Sequence, residues 1–186
     1  WFPHNKGGDY RKWAGNQEWV VDWENDGAEL FAERPKAVIR SPQLYFQPCV
    51  SWSKIGTGMP AFRYFPKGFL FDSAGLSIFG GERELLRLMA VCNSTVARDM
   101  LAATAPTLNF EVGTLAQLPV VEVSEAARVL AAELIRVHQD DWDGRETAWG
   151  FSRPRTIECP GSSLAERLQR ELAESNLLVA RVRSME

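Results

Sequence analysis

The chain has 186 residues, 45% of them hydrophobic, and a formal charge of −3 at neutral pH. That suits one ordinary core, or one core with a helical extension, and the net charge does not by itself announce nucleic acid. No apolar run approaches the roughly 18 residues of a membrane span, and three scattered cysteines without CxxC spacing argue for a reducing compartment and against a disulfide framework or a zinc site.

With Trp1 at its head and no charged and apolar leader, the chain reads as a piece of a larger soluble protein. Its charge is unevenly spread. Residues 1–70 hold nine Lys and Arg against seven Asp and Glu, whereas residues 121–186 hold nine against twelve. Any electrostatic footprint for a polyanion is therefore expected in the N-terminal part.

The elements follow in order. Glu18–Trp23 is rich in Trp and Val and predicts a buried strand. Asn25-Asp26-Gly27 is a turn signal, and Ala28–Ala37 predicts a short helix ending near Pro35. Leu44–Phe46 and Cys49–Trp52 read as strand pieces broken by Pro48. Ala61–Phe65 and Gly68–Phe71 flank a Pro66-Lys67-Gly68 turn, and Leu76–Phe79 is a further strand. Leu85, Leu86, Leu88 and Met89 then recur on a helical period within Glu82–Val91.

Asn93-Ser94 can cap a second helix carrying Val96, Met100 and Leu101. Thr107–Phe110 and Leu118–Val121 read as extended pieces around a Gly113 turn. Ser124 opens a longer helix with Ala127, Leu130, Ala131, Leu134 and Val137 on one face. After a loop rich in Trp, Gly, Pro and Arg, Ser163-Leu164-Ala165-Glu166 fits a capping box. Leu164, Leu168, Leu172, Val179 and Val182 continue an apolar stripe beyond it. The expected fold is a mixed α+β globule of short strands and peripheral helices, followed by two long antiparallel helices. The expected division is residues 1–123 and residues 124–186.

Signatures of catalysis are missing. There is no HExxH, GxSxG, Walker loop or paired Cys/His ligand set. Lys54–Pro60 is glycine-rich but lacks the Gly-Lys-Ser/Thr ending that holds phosphate and magnesium. Phe79-Gly80-Gly81-Glu82 resembles a methyl-donor loop without the strand–Gly-x-Gly context, which favours a plain strand-to-helix turn. His4 sits beside a glycine turn, and His138 sits near a helix C-terminus, where the dipole favours a cation. Asp140, Asp141 and Asp143 form an acidic cluster that reads as a solvated face rather than a magnesium site.

Two loop sets carry the chemistry that is present. In the first, Lys6, Arg11 and Lys12 surround Gly7 and Gly8, with Tyr10 and Trp13 interleaved and the amides of Asn5, Asn16 and Gln17 alongside. Cations of this kind neutralise phosphates, Arg can fork onto guanine, and amides match adenine in the major groove. The glycines permit close backbone approach. The alternative is a surface loop anchored by Trp13, with solvated cations. In the second set Lys54, Arg63 and Lys67 stand among hydroxyls and aromatics, Ser53 included.

The words WFPHNKGGDYRKWAGNQEWVVDWENDG, YFQPCVSWSKI, FRYFPKGFLFDSAGLSIF, PTLNFEVGTLAQLPV and DWDGRETAWGF resemble, in the same order, the region after the methyltransferase core in BREX phage-defence adenine-specific DNA methyltransferases, the PglX family. The resemblance implies a target recognition domain, comparable to one half of a type I restriction specificity subunit and closing into spacer helices. It implies a parent that uses S-adenosylmethionine, with its catalytic Asn-Pro-Pro-Tyr motif N-terminal to this region. No Pro-Pro pair occurs here, so the chain is expected to be non-catalytic in isolation and to hold no cofactor or metal.

The implied partners are double-stranded DNA, the parent's methyltransferase domain and other BREX proteins, in a bacterial cytoplasm and away from any membrane. Residue chemistry then selects Lys6, Arg11, Lys12, Lys54, Arg63 and Lys67 for phosphate or guanine, and Asn5, Asn16, Gln17 and Ser53 for bases or sugars. Trp19, Trp23, Phe69 and Phe71 are expected in the core. The competing readings are a protein-interaction module that docks the methyltransferase to its partners, and the recognition domain of a fused restriction–modification enzyme.

Overall fold

A computed structural model of the chain describes residues 1–56, 58–104 and 109–186. It is a mixed α+β structure with two small sheets. In the first sheet, β1 (Phe2–Asn5) is antiparallel to β2 (Trp19–Val21) and parallel to β5 (Leu70–Phe71), in the order β2-β1-β5. In the second, β3 (Cys49–Ser53) lies antiparallel between β4 (Arg63–Phe65) and β6 (Gly75–Phe79), with Val50 opposite both Tyr64 and Ile78. The helices are α1 (Glu24–Ala32), α2 (Glu82–Cys92), α3 (Thr95–Thr104), α4 (Val112–Leu115), α5 (Glu125–Asp143), α6 (Arg155–Glu158) and α7 (Leu164–Met185).

Strand β3 is buried on both faces because each face has its own cover. Val50 and Trp52 join the main core with Phe62, Leu85, Met89, Leu101, Phe110 and Leu134. Cys49 packs instead with Phe65, Phe69 and Phe79. The Trp52 indole N–H would be costly to bury unpaired, and it donates to the Phe110 carbonyl at 2.8 Å. Asn5 joins the sheets: fully buried, it donates from Nδ2 to Ser51 Oγ at 2.6 Å and to Ser77 Oγ at 3.4 Å.

The helical periods of α2 and α5 hold. On α2, Leu85, Leu88, Met89 and Cys92 are buried. Ser124 Oγ accepts from the Ala127 N–H at 3.2 Å and starts α5. Ala131 and Leu134 of α5 belong to the same core as β3. Helices α5 and α7 run antiparallel: Arg181 pairs with Glu133, while Glu174 shares a cleft with Asp140 further along α5. Ser94, not Asn93, caps α3, accepting from the Ala97 N–H at 3.1 Å. In the capping box of α7, Ser163 Oγ accepts from Glu166 N, and the Glu166 carboxylate reaches one residue further back, to the Ser162 N–H.

Several expectations are corrected. β2 is an edge strand, so Trp19 is 48% exposed rather than core, whereas Trp23 and Phe69 are buried and Phe71 is half-buried. Leu44 ends a short 3-10 turn, Pro42–Leu44, instead of opening a strand. Gly113 lies inside α4, and Leu118–Val121 forms no strand. The stripe on α7 is not buried: Leu164, Leu168, Leu172 and Val179 are exposed, and only Val182 and Met185 pack on the core. Asn25, Asp26 and Gly27 turn with positive φ, as a turn requires, and the regular part of α1 follows them. Of the expected piece Thr107–Phe110, Thr107 and Leu108 lie outside the described residues, and Asn109 makes an antiparallel bridge with Ile55.

Asn93 has a structural task. Its side chain accepts from the Phe62 N–H at 3.1 Å and donates to the Phe62 carbonyl at 3.0 Å, both buried. Asn93→Ala leaves that N–H without a partner and is expected to lower the unfolding free energy by about 2–3 kcal/mol. The measurement is a reduced urea midpoint with an unchanged slope.

Candidate nucleic-acid interface

The loop between β1 and β2 and the loop between β3 and β4 are fastened to each other. Trp13, at φ +70°, takes the Phe62 carbonyl with its N–H at 2.8 Å and offers its own carbonyl to the Tyr64 N–H at 2.8 Å. Ser53 Oγ–H donates to the Gly8 carbonyl at 2.7 Å and accepts from Arg63 Nη2 at 2.9 Å. Arg63 Nη1 reaches the carbonyls of Asp9 and Arg11, each at 3.4 Å. Gly7, at φ +79°, passes so close that an added Cβ would lie 2.9 Å from the Ala74 carbonyl oxygen. The first loop set and the Ser53–Arg63 part of the second therefore meet in one region.

Arg63 is its centre and is only 1% exposed. Burial lowers its pKa to about 10, which leaves it charged at neutral pH. Among the described residues no carboxylate lies within 4.0 Å of it, and its Nε–H is buried without an acceptor. It forms part of the lining of a cavity of about 290 Å³ between the loops, with Tyr10, Ile55, Met59 and Phe110 among the walls.

The other cations are distributed differently. Arg11 pairs with Asp141 and stacks 5.1 Å over the Trp142 ring, and burial lowers its pKa, with Asp141 opposing. Lys12 lies 3.3 Å from Glu186, which also accepts from the Trp13 indole N–H at 2.7 Å. Lys54 pairs with Glu111 at 2.9 Å. Lys6 is exposed and sits 5.1 Å over the Trp19 ring. Lys67 is exposed in a separate depression beside Tyr64, Phe69 and Trp149.

The amides expected to face bases turn inward. Asn5 serves Ser51, Ser77 and the Gly7 N–H. Asn16 donates to the Asp9 carbonyl at 2.9 Å. Gln17 accepts from Gln139 at 2.8 Å.

Sequence reading missed the neutralising partners Asp141, Glu111 and Glu186. The acidic surplus of residues 121–186 was the available signal for Asp141 and Glu186 but not for Glu111, and composition does not say which carboxylate meets which cation. In the acidic cluster, Asp140 pairs with Arg136 and Asp143 accepts from Gln139, so these groups are engaged rather than simply solvated. Among the described residues no group of three or more His, Cys, Asp or Glu is arranged to hold a metal. Phe79-Gly80-Gly81-Glu82 leads β6 into α2, but β6 is antiparallel to β3, and a cofactor-cradling loop normally follows a parallel strand. Burial raises the Cys49 and Cys92 thiols to about 11 and about 12, so neither is a thiolate at neutral pH. No helix among the described residues is long and apolar enough to cross a membrane.

His138 corrects a further expectation. Its position near a helix C-terminus suggested a favoured cation. Burial instead lowers its pKa, Arg11 lowers it further, and Glu186 and Asp141 only partly oppose them.

No family model matches the chain. Its sequence is 38% identical over 165 residues to adenine-specific methyltransferase BrxX of Escherichia coli O9:H4 (strain HS), across 87% of this chain and 13% of that protein. It is 37% identical over 160 residues to adenine-specific methyltransferase PglX of Lacticaseibacillus casei (strain Zhang), across 82% of this chain and 13% of the relative. The chain is thus a segment related to adenine-specific methyltransferases, spanning about an eighth of the length of these relatives. Within that class it belongs to the BrxX/PglX family.

The depressed imidazole gives a pH prediction. Below the ordinary histidine value of 6.5 the unfolded chain takes a proton that folded His138 resists. Stability is therefore complete above that value and falls as pH drops through it. His4, lowered mainly by burial, adds in the same direction. His138→Leu is expected to reduce the loss in urea midpoint between about pH 7.5 and about pH 5.5.

Proposed function

We propose that the chain is the double-stranded DNA target recognition segment of a BREX-type adenine-N6 DNA methyltransferase, non-catalytic by itself. The observation that carries this reading is the fastening of two cation-bearing loops into one region, in a chain whose relatives are adenine-specific methyltransferases. Methylating the amine of a stacked adenine requires its extrusion, at a cost of about a few kcal/mol. A recognition segment opposite the catalytic domain holds the duplex by its phosphates and reads base edges while that happens. The parent's methyltransferase domain supplies S-adenosylmethionine chemistry, and the setting is the bacterial cytoplasm.

In this reading Lys6 holds a phosphate directly, and Lys54 does so by exchanging its partly exposed partner Glu111 for one. Arg11 and Lys12 are held in reserve by Asp141 and Glu186, and Lys67 marks a second edge. Asn5, Asn16 and Gln17 shape the loop instead of touching bases. A second reading rests on α7: Leu164, Leu168 and Leu172 are exposed at four-residue spacing, a face suited to a partner helix of the defence complex.

The test is duplex binding by this chain, followed by anisotropy across a salt series. Lys6→Ala with Lys54→Ala is expected to weaken binding and to flatten the log–log salt slope by about two phosphate contacts, each worth about 0.9. Asp141→Asn with Glu186→Gln, which frees Arg11 and Lys12, is expected to steepen it. No duplex binding at low salt, or slopes indifferent to both pairs, overturns the reading.

A further inference from the structure

Arg63 is the least expected group in the region. A guanidinium that is 1% exposed normally meets a carboxylate, yet its partners are a hydroxyl and two backbone carbonyls, all neutral. Neutral dipoles at 3.4 Å compensate a buried charge poorly. Its Nε–H, on the edge that Arg offers to two oxygens at once, has no acceptor. The cavity that Arg63 helps to line, about 290 Å³, exceeds the volume of a lone tetrahedral anion. Ile55 and Met59 give it apolar walls, and Gly8, Gly56 and Gly58 leave its lining without side chains at three points.

We propose that this cavity is a phosphate-binding site in which the Arg63 fork takes the anionic oxygens and the apolar walls receive the attached sugar. The proposal rests on the DNA-reading role above and assigns the phosphate to a DNA strand. Planar, weakly hydrated Arg is the side chain best matched to phosphate in a partly dry site, and the apolar walls match a deoxyribose better than a second charge. Arg63 thereby has two tasks: it fastens the loops from one edge and binds from the other.

The experiment uses this chain with two probes: inorganic phosphate, followed by broadening of its phosphorus resonance, and a short duplex, followed by anisotropy with and without competing phosphate at matched ionic strength. Wild type is expected to broaden the phosphate resonance and to release the duplex to phosphate more readily than to chloride. Arg63→Met removes the fork. Gly58→Phe decides the matter should Arg63→Met fail to fold. A Cβ at Gly58 meets nothing within 4 Å, so the ring adds bulk to the lining while Arg63 stays in place. Each variant is expected to lose the broadening and to bind duplex about tenfold more weakly, the loss of about one good contact.

Broadening lost in the variants with duplex affinity unchanged overturns the DNA source and supports a free phosphorylated solute. Broadening in wild type without any duplex binding supports the site and overturns the recognition role. No broadening in wild type, with duplex affinity unchanged in Gly58→Phe, overturns the site itself.

Discussion

One buried charge, Arg63, organises the region where the two loops meet. Arg63 stands on β4 beside β3, yet its guanidinium reaches across to the backbone of Asp9 and Arg11 in a loop more than fifty residues earlier. A charge placed there must be met by oriented oxygens, and only a close-packed loop can supply them. The conformation of the first loop follows: positive φ at Gly7 and Gly8, Ser53 on the Gly8 carbonyl, and Asn16 on the Asp9 carbonyl. Two segments that are separate in sequence become one structural unit.

The C-terminal helices have a larger part than extension. Helix α5 completes the core beneath β3 through Ala131 and Leu134. From its far end, Asp141 and Trp142 engage Arg11 by charge and by ring face. Glu186 beyond α7 does the same for Lys12 and Trp13. These carboxylates hold the cations in place and also screen them, so the effective positive surface depends on how α5 and α7 sit. Partly exposed ion pairs of this kind are worth little in stability. Their consequence is electrostatic: they set how many positive charges the surface leaves unpaired.

Side chains that look alike in the sequence therefore do unlike things in space. Lys6 and Lys67 are exposed, Lys54 and Lys12 are paired, and Arg63 is buried. Asn5 joins two sheets, although its neighbours in the sequence mark a loop. Exposed Trp19 carries Lys6 over its ring, whereas Trp52 lies at the centre of the core with its N–H satisfied. Residue type states what a group can bind, and packing decides what it is free to bind.

By itself the sequence determined the features that rest on local rules. The period of Leu85, Leu88 and Met89, the caps at Ser94, Ser124 and Ser163, and the turn at Asn25–Gly27 all depend on neighbours within four residues and are seen in the structure. Family membership was equally legible, because ordered words survive where single contacts do not. Tertiary structure alone decided that Trp19 lies on an edge, that the α7 stripe stays uncovered, and which carboxylate neutralises which cation. Those outcomes turn on contacts between residues as many as 174 positions apart, and no local pattern encodes such a distance.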